Sequence, residues 1–252
     1  MNFLTTGGEG LIGKALIKRL IDIGHNHLVD FDKINGDYEL FPCHYKPDII
    51  FHLASNCKIN KCIEYPILAF ENSKITEEIL ELCKWSNSKI VLFSSSRVLN
   101  KEKNPYVSSK IYGEELVKAY HECYGIDYII IRPSTVYGFP SHNKRLIDIW
   151  IENAKQNKDL IIYGDKNKTL SFTYIDDFVD GVIYSLGDFN REINIAGKEE
   201  KLIDVAKLII ELTNSKSKII FKDKEIAQPQ KVKCKSHYKC QTSIKEGLKK
   251  II

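Results

Sequence analysis

The chain has 252 residues, of which 43% are hydrophobic and 28% charged, and it carries a formal net charge of +4. These values are typical of a soluble globular protein with a sizeable core, and they exclude disordered, collagen-like and low-complexity chains. The apolar runs are only a few residues long, whereas a membrane helix needs about 20, and no signal peptide is recognisable, so we expect a cytoplasmic protein without a membrane anchor.

The first elements along the chain predict a β-α-β unit. An apolar strand over residues 2–5 is followed by a glycine-rich turn and by a helix over residues 11–23, in which apolar residues recur at helical spacing. Gly24 stands where a glycine often ends a helix, and a second strand then ends in the acidic residues Asp30 and Asp32.

The elements that follow predict a doubly wound α/β fold. Apolar strands over residues 48–54, 89–93 and 128–131 alternate with helices over residues 67–84 and 108–124. Because these strands show no polar alternation, we expect a Rossmann-type parallel sheet with helices on both faces. After residue 132 the pattern loosens into a helix over 146–155, a strand over 160–163 and a lysine-rich tail. We therefore predict one domain over residues 1–133 and a smaller lobe over residues 134–252, interleaved with the first.

The glycine-rich turn has the spacing of a dinucleotide-binding site. Gly7, Gly10 and Gly13 stand at a strand-to-helix junction, where missing side chains let the backbone approach a pyrophosphate and the helix N-terminus attracts it. Asp32 follows Gly13 by 19 residues, close to the spacing of about 20 expected for an acid that binds the adenosine ribose. Asp30 is the alternative ribose ligand, and a turn that only packs the helix on the strand is the alternative role. A carboxylate at this place favours NAD over NADP.

A second pattern supplies acid-base chemistry. The strand over residues 89–93 ends in three serines, among them Ser95, and Tyr106 and Lys110 follow at positions i and i+4 of a helix. At this spacing the lysine ammonium can stabilise a phenolate and lower the tyrosine pKa from about 10, so that Tyr106 can act as a general base on an alcohol. A Tyr-Lys pair at this spacing is common on helices, and its meaning here comes from the glycine turn and the serine cluster that precede it.

These motifs resemble those of the extended short-chain dehydrogenase/reductases, and in particular those of the NAD-dependent epimerase/dehydratase family, which acts on nucleotide sugars and includes the UDP-glucose/galactose 4-epimerases. The resemblance covers most of the chain. In chain order, the matching segments are TGGEGLIG (6–13), PDIIFHLAS (47–55), FSSS (93–96), PYVSSK (105–110), IRPSTVYG (131–138), IYGD (162–165), FTYIDDFVDG (172–181) and INIAG (193–197).

The resemblance implies NAD as the cofactor, a nucleotide sugar as the substrate, and a role for each matching residue. Tyr106 would be the catalytic acid/base, Lys110 would lower its pKa and hold the nicotinamide ribose, and Ser95 would hydrogen-bond the sugar hydroxyl. The implied cofactor-binding residues are Gly7, Gly10, Leu11, Ile12, Gly13, Asp32, Leu53, Ala54, Asn72, Tyr106, Lys110 and Pro133. Residues 1–133 would bind NAD, residues 134–252 would bind the substrate, and the Tyr106 helix would form a homodimer.

Several positions depart from the family pattern. Ser96 and Arg97 replace the Asp-Glu pair that dehydratases use, so we do not expect dehydration. Leu170 replaces an arginine that holds the substrate diphosphate, and Thr135 replaces an asparagine. The remaining candidates for substrate binding are Arg97, Thr135 and Lys168, with the tail lysines Lys231, Lys233 and Lys235 as further cations. The loops around residues 33–47 and 97–104 are also short for this family, which leaves open a different substrate or an impaired enzyme.

Other patterns are assigned no function. Seven cysteines, an odd number without a secretion signal, favour reduced thiols. Cys234, His237 and Cys240 are spaced like part of a metal site, but nothing in the sequence brings four ligands together, so we expect no metal. Residues 201–252 contain thirteen lysines against five acidic residues, which favours an anionic ligand, while the absence of interleaved aromatic residues argues against nucleic acid.

The leading functional hypothesis is an NAD-dependent nucleotide-sugar epimerase in polysaccharide precursor synthesis, which oxidises the sugar to a keto intermediate and reduces it again. One alternative is an NAD(P)H-dependent keto-sugar reductase or sugar dehydrogenase, which would consume its cofactor. Another is a family member that binds the cofactor without catalysis. The presence of Ser95, Tyr106 and Lys110 argues against this last hypothesis.

Overall fold

The computed structural model describes residues 1–32, 46–100, 102–138, 144–227, 229, 232 and 234–252. Lys231 and Lys233, two of the tail cations considered above, lie outside these residues. The described strands are β1 (Asn2–Thr6), β2 (Asn26–Phe31), β3 (Ile49–His52), β4 (Lys89–Phe93), β5 (Tyr128–Pro133), β6 (Thr135–Tyr137), β7 (Leu160–Tyr163), β8 (Thr169–Tyr174), β9 (Arg191–Ile195), β10 (Glu199–Lys201) and β11 (Ile219–Lys222).

Six of these strands form one parallel sheet in the order β2-β1-β3-β4-β5-β9. The described helices are α1 (Leu11–Asp22), α2 (Ile59–Glu64), α3 (Ile67–Ser86), α4 (Pro105–Tyr124), α5 (Leu146–Lys155), α6 (Ile175–Ser185), α7 (Leu202–Leu212) and α8 (Ile244–Lys249). The parallel sheet between helices confirms the predicted α/β fold class. None of the described helices combines the length and the apolar composition that crossing a membrane requires.

Both faces of the central sheet are covered, and this is why its strands lack polar alternation. Phe3 packs into one buried cluster with Leu16 of α1 and Phe178 of α6. The next residue, Leu4, packs on the opposite face into a second cluster, with residues of α3 and α4. Because successive side chains of a strand point to opposite faces, each strand here needs apolar residues at consecutive positions.

The second half of the chain contributes to both parts of the fold. Its strand β9 joins the central sheet beside β5, whereas β6, β8 and β10 form a three-stranded sheet and β7 pairs with β11. Helix α5 anchors this smaller lobe through the fully buried Trp150. The predicted helix over 146–155 and the predicted strand over 160–163 are confirmed. The division of the chain at residue 133 stays a prediction.

Several elements were not predicted from the sequence. The prediction left residues 201–252 as a lysine-rich tail, but α7 lies there and buries Leu202, Val205, Ala206 and Ile209 along one side. Most lysines of this segment lie beyond residue 215, whereas α7 itself contains only Lys207, so its apolar spacing could have been recognised. The short helix α2 was also missed, because its six residues are fewer than the two turns over which a helical period can be recognised.

A β-bulge adjusts the end of β2. The parallel pairing with β1 passes from Phe3 opposite His27 directly to Leu4 opposite Val29, so Leu28 is an extra residue on β2. Downstream of the bulge, Phe31 reaches the end of the sheet opposite Thr6. Asp32 therefore follows the strand directly, beside the glycine turn.

The glycine turn packs too tightly for side chains at three positions. Gly7 has a φ of +77°, and a Cβ atom on it would lie 2.7 Å from the Ala54 backbone nitrogen. A Cβ on Gly8 would lie 2.4 Å from the Asp30 carboxyl carbon, and one on Gly13 would lie 2.5 Å from the Gly7 carbonyl oxygen. These distances are shorter than real Cβ contacts, so the turn requires glycine at these positions.

We expect Gly13→Ala to lower the free energy of unfolding by about 1–3 kcal/mol, because the new methyl group meets backbone that cannot move without displacing α1 from β1. Gly187→Ala is the matched control, since the nearest heavy atom to its Cβ lies 3.9 Å away. Denaturant unfolding of the two variants measures the difference. Equal losses of stability would show that the turn tolerates a side chain.

Candidate active site

The carboxyl ends of β1 and β3 open a crevice beside the glycine turn. In the sheet, β1 lies between β2 and β3. The chain passes from β1 to β2 on one side and later returns to β3 on the other side, which makes the gap between β1 and β3 a topological switch point, and α/β proteins bind ligands at such points. The first hydrogen bond inside α1 runs from the Lys14 N–H to the Gly10 carbonyl oxygen at 3.0 Å. The N–H groups of Leu11, Ile12 and Gly13 are therefore not used within the helix, and together with the helix dipole they fit a pyrophosphate.

The two acids at the end of β2 hold different parts of the glycine turn. The Asp30 carboxylate accepts hydrogen bonds from the Thr5 hydroxyl and from the Gly8 N–H, both at 2.8 Å. Burial raises the pKa of Asp30, and these two hydrogen bonds oppose the rise. The Asp32 carboxylate accepts a hydrogen bond from the Glu9 N–H at 3.1 Å. Asp30 is thus built into the turn, whereas Asp32 lies at its rim.

The segment after β3 forms the other wall of the crevice. The Leu53 N–H donates to the Thr6 carbonyl oxygen at 3.0 Å, and the Ala54 N–H donates to the Thr6 hydroxyl at 3.1 Å. Asn72 of α3 is buried and holds Asn56 from both sides, because its Oδ1 accepts the Asn56 N–H at 2.7 Å and its Nδ2 donates to the Asn56 carbonyl at 3.3 Å. The predicted site residue Asn72 therefore fixes this wall.

The structure brings Ser95, Tyr106 and Lys110 together at the carboxyl end of β4. Tyr106 lies in the first turn of α4 and is buried, and Ser95, which follows β4, lies near enough to oppose the rise that burial causes in the pKa of Tyr106. The Lys110 ammonium lies 6.0 Å from the centre of the Tyr106 ring and donates a hydrogen bond to the Phe93 carbonyl at 3.0 Å. The spacing of Tyr106 and Lys110 on one helix thus places both groups at the same end of the sheet.

The pKa of Tyr106 is shifted in the direction opposite to the predicted one. Burial raises the pKa of Tyr106 and the nearby Cys57 thiol adds to the rise, while the Ser95 hydrogen bond and the Arg145 cation oppose it. Burial also lowers the pKa of Lys110 to about 8. Burial therefore disfavours the charged form of Lys110, and its ammonium donates to the Phe93 carbonyl. The proximity of Lys110 alone does not lower the pKa of Tyr106.

A buried ion-pair network holds together the elements that carry Ser95, Tyr106 and Lys110. The Glu114 carboxylate of α4 accepts a hydrogen bond from the Ser94 hydroxyl at 2.5 Å. Arg132 of β5 donates to both oxygens of Glu114, at 2.8 and 2.5 Å, and also pairs with Glu192 of β9 at 2.9 Å. The network joins β4, α4, β5 and β9, so it fixes the distance between the serine strand end and the helix that carries Tyr106.

The predicted substrate-binding cations are each engaged with a carboxylate. Arg97 pairs with Glu102 at 3.0 Å, and both side chains are largely buried. Lys168 is buried, donates a hydrogen bond to the Tyr163 carbonyl at 2.7 Å and lies 3.6 Å from Glu225. Burial lowers the pKa of Lys168.

Two further predicted residues, Pro133 of the first domain and Thr135 of the second lobe, lie where the two sheets meet. Pro133 ends β5 and Thr135 begins β6, opposite Phe172 of β8. Ser134 between them donates its N–H to the Ile195 carbonyl at the end of β9. Both residues are therefore at the carboxyl end of the central sheet.

Two groups beside Tyr106 were missed as site residues. Cys57 interacts electrostatically with both Tyr106 and Lys110. Its position, three residues after Ala54 at the carboxyl end of β3, was a signal that could have found it. Arg145 also acts on Tyr106, but nothing in the sequence indicated this, because Arg145 precedes α5 in the second lobe and reaches Tyr106 only through the packing of that lobe.

Among the spaced Cys234, His237 and Cys240, the histidine binds backbone. The His237 Nδ1 accepts the Asn194 N–H, and the His237 N–H donates to the Asn194 carbonyl, both at 2.8 Å, so this segment pairs with the edge strand β9. Within the described ranges, no three His, Cys, Asp or Glu side chains form a cluster that could hold a metal ion.

Comparison with known proteins agrees with this geometry. Residues 3–196 match the NAD dependent epimerase/dehydratase family. The chain is 30% identical over 302 residues to an uncharacterized UDP-glucose epimerase of Bacillus subtilis, covering 98% of this chain and 96% of that protein. It is 26% identical over 294 residues to a putative UDP-glucose 4-epimerase of Methanocaldococcus jannaschii, covering 99% and 96%. Its structure resembles a UDP-glucuronic acid 4-epimerase of Bacillus cereus, solved with UDP-glucuronic acid and NAD, with a TM-score of 0.86, 22% identity and coverage of 99% and 97%.

The chain therefore belongs to the NAD dependent epimerase/dehydratase family, and it is an NAD-dependent enzyme of that family. Three features of the described site fit NAD. The glycine positions leave no room for side chains, the N-terminus of α1 offers unused N–H groups, and a carboxylate lies beyond the turn at the end of β2.

We expect the Lys110 ammonium to titrate near pH 8, well below the ordinary 10.5 of a lysine, and to titrate lower still in Glu114→Gln, because the Glu114 carboxylate raises the Lys110 pKa. NMR of isotopically labelled lysine measures the pKa, and Lys110→Arg identifies the signal. The neighbouring Glu115→Gln is the control, since Glu115 is exposed and pairs with Lys118. A wild-type value near 10.5, or an unchanged value in Glu114→Gln, would contradict this account of the site.

Proposed function

We propose that the chain is an epimerase of nucleotide sugars and that its substrate carries UDP. The observation that carries the proposal is the group of Ser95, Tyr106 and Lys110 at the strand ends beside the NAD-binding turn. The two relatives named as UDP-glucose epimerases, which match this chain over nearly its whole length, support UDP as the nucleotide.

NAD is held at the switch point between β1 and β3 in this proposal. Gly7, Gly10 and Gly13, with the N–H groups of Leu11 and Ile12, receive the pyrophosphate.

The remaining cofactor contacts lie on either side of the turn. Asp32 binds the adenosine ribose, since Asp30 already accepts two hydrogen bonds inside the turn. Leu53 and Ala54 line the nicotinamide side, and Asn72 keeps their segment in place.

Tyr106 is the acid/base of the reaction. Its phenolate takes the proton of the sugar hydroxyl, which Ser95 orients by a hydrogen bond. Lys110 holds the nicotinamide ribose and acts together with the Arg97 and Arg145 cations to stabilise the phenolate. The chemistry that NAD would supply when bound is the uptake and return of a hydride at the sugar carbon, and the positive charge of its oxidised form would favour the Tyr106 phenolate. Between the two steps the keto sugar rotates in the site, so that the hydride returns to its opposite face. Tyr106 then gives the proton back to the sugar oxygen, which completes the opposite epimer.

The surroundings of Ser95 support epimerisation over dehydration. Elimination of water needs an additional acid and base after the serine, but Ser96 is buried at the start of a 3-10 turn and Arg97 pairs with Glu102. In this proposal Arg97 and Lys168 are the cations that bind the substrate diphosphate. Their carboxylate partners offset part of the positive charge that the diphosphate encounters. The site therefore holds no carboxylic acid in the two places where dehydratases of the family carry one.

We expect Tyr106→Phe to lower the rate of epimerisation by about 10²- to 10⁴-fold, the usual contribution of a general acid/base, with NAD binding retained. Proton NMR of UDP-sugars incubated with the NAD-loaded enzyme follows the interconversion of epimers. Tyr112→Phe is the matched control, because Tyr112 lies on the same helix but is exposed and bonded to Glu77.

The same experiment distinguishes the other enzyme class. Stoichiometric change in NADH absorbance during turnover would identify a sugar reductase or dehydrogenase in place of an epimerase. Turnover that is unaffected in Tyr106→Phe would remove Tyr106 from the mechanism.

In a cell, an epimerase of this kind supplies one epimer of an activated sugar to glycosyl transfer. We therefore place the protein in polysaccharide precursor synthesis in the cytoplasm. The six cysteines that the structure describes are all free thiols, which supports a reducing compartment.

We also propose that the protein is a homodimer through α3 and α4. These helices pack on each other, and their outer face carries the exposed apolar residues Ile67, Phe70, Ile111 and Tyr112 beside a groove of 1250 Å³. Exposed apolar surface of this extent is typical of an interaction site. A second copy of the same face would cover it as a four-helix arrangement, with α3 and α4 opposite their own counterparts.

We expect Phe70→Glu to convert the dimer into a monomer, because Phe70 is 67% exposed at the centre of this face and a buried carboxylate would be costly there. Light scattering coupled to size exclusion measures the mass. Phe221→Glu serves as the control, since Phe221 is exposed on β11 in the smaller lobe. A wild-type monomer, or a dimer retained in Phe70→Glu, would rule this interface out.

A further inference from the structure

Two cysteines lie beside the active site, and neither has a part in the proposed reaction. Cys57 precedes α2 and is partly exposed, whereas Cys62 lies inside α2 and is fully buried. Cys62 belongs to the same small apolar cluster as Tyr106 and Val107. Oxidation chemistry at this pair would therefore take place next to the catalytic tyrosine.

The capping geometry of α2 directs the two cysteines towards each other. Lys58 is the N-cap residue and Ile59 the first residue of α2, so Cys57 occupies the position before the cap and Cys62 the fourth helical position. Side chains at these two positions pack against each other across the start of a helix.

A hydrogen-bond contact places the Cys62 sulfur near the backbone of Cys57. The Cys62 thiol lies 3.5 Å from the carbonyl oxygen of Asn56, and that carbonyl group is bonded directly to the nitrogen of Cys57. Disulfides need Cα atoms about 4.4–6.8 Å apart, so the proposal requires the backbones of Cys57 and Cys62 to come within that range.

The loop that carries Cys57 is held in place. Asn56 is clamped by Asn72 through both its N–H and its carbonyl group, and its side chain donates to the Leu68 carbonyl and to Glu71, each at 3.0 Å. A bond between the cysteines would compete with the Cys62–Asn56 contact and pull on this clamp. Since the clamp fixes the wall formed by Leu53 and Ala54, the strain would reach the nicotinamide side of the cofactor site.

The charges around the pair favour its reaction. Burial and the neighbouring Cys57 raise the pKa of Cys62, and the Lys110 ammonium opposes this rise, so Cys62 suits the role of the protonated partner thiol. Cys57 has the solvent access that a small oxidant requires, and Cys62 is the partner that can resolve the oxidised sulfur.

We propose that Cys57 and Cys62 form a reversible disulfide when the protein meets a peroxide, and that this disulfide inhibits the enzyme. The Cys57 thiolate attacks one peroxide oxygen, the O–O bond breaks, and the leaving hydroxide takes up a proton to become water. Cys57 is then a sulfenic acid. The Cys62 sulfur attacks the Cys57 sulfur, and the expelled hydroxide takes the Cys62 proton as a second water. Overall, two thiols lose two electrons to one hydrogen peroxide, which becomes two waters.

The formation of the bond is tested by mass spectrometry on the full chain. Trypsin cleaves after Lys58 and Lys61, which lie between the two cysteines, so a disulfide would hold together two otherwise separate peptides. After treatment with hydrogen peroxide we expect the intact protein to lose the mass of two hydrogen atoms and the digest to contain this linked pair, until dithiothreitol separates it. Oxidised protein without the linked pair would overturn the proposal.

The inhibition is tested on NAD binding and on turnover, and only the turnover measurement rests on the proposed epimerase function. We expect the disulfide to lower NAD affinity or sugar turnover on the order of tenfold, a typical coupling between a regulatory event and a site, with recovery in dithiothreitol. Each preparation is compared with its own reduced form, so basal differences between variants cancel. If no sugar is turned over, the epimerase proposal fails, while NAD binding still tests the switch.

Variants separate this pair from the other thiols. Cys57→Ser removes the attacking sulfur, and we expect it to resist the peroxide-dependent loss. Cys123→Ser is the matched control, because Cys123 is exposed near the far end of α4 and its removal should leave the response intact. Equal sensitivity of Cys57→Ser and the wild type would overturn the proposal, as would a linked pair that forms without any effect on NAD binding or turnover.

Discussion

The buried pair of Glu114 and Arg132 is the interaction on which the site depends. A carboxylate and a guanidinium removed from water are costly unless each satisfies the other, and here the guanidinium donates to both carboxylate oxygens while Ser94 and Glu192 complete the network. The pair connects two neighbouring strands with the helix that carries Tyr106 and Lys110. Any shift of α4 along the sheet would break it, so the catalytic helix has one allowed position relative to the serine strand end.

The glycine turn imposes a second constraint at the other side of the crevice. The backbone of the turn packs against the segment after β3 and against the Asp30 carboxylate, with no space for a side chain. The same close packing leaves the N-terminus of α1 open towards the crevice. In the proposed function, backbone groups supply the anion site here, while side chains at the end of β4 and on α4 supply the acid-base chemistry. Both parts meet because parallel strands place all their carboxyl ends at one edge.

In the active site, burial shifts the pKa values of Tyr106 and Lys110 more than their charged neighbours do. Tyr106 and Lys110 are both shifted towards their neutral forms, since each lies among apolar groups that stabilise a charge poorly. The cations near Tyr106 come from different parts of the chain, Arg97 after β4 and Arg145 before α5. The tyrosine pKa therefore depends on how the second lobe packs against the first. The Cys57 thiol belongs to this environment and links it to the redox state of the surroundings.

The sequence by itself determined the fold class, the glycine turn between β1 and α1, and the meeting of Ser95, Tyr106 and Lys110. These follow from local rules, namely unbroken apolar strands, glycines at a strand-to-helix junction, and a four-residue spacing on one helix. Only the tertiary structure decided the direction of the Tyr106 pKa shift, the pairing of Arg97 and Lys168 with carboxylates, and the approach of Arg145 and Cys57 to the tyrosine. Desolvation and charge-charge distances arise from packing between segments far apart in the chain, and the spacing of residues within one segment does not contain them.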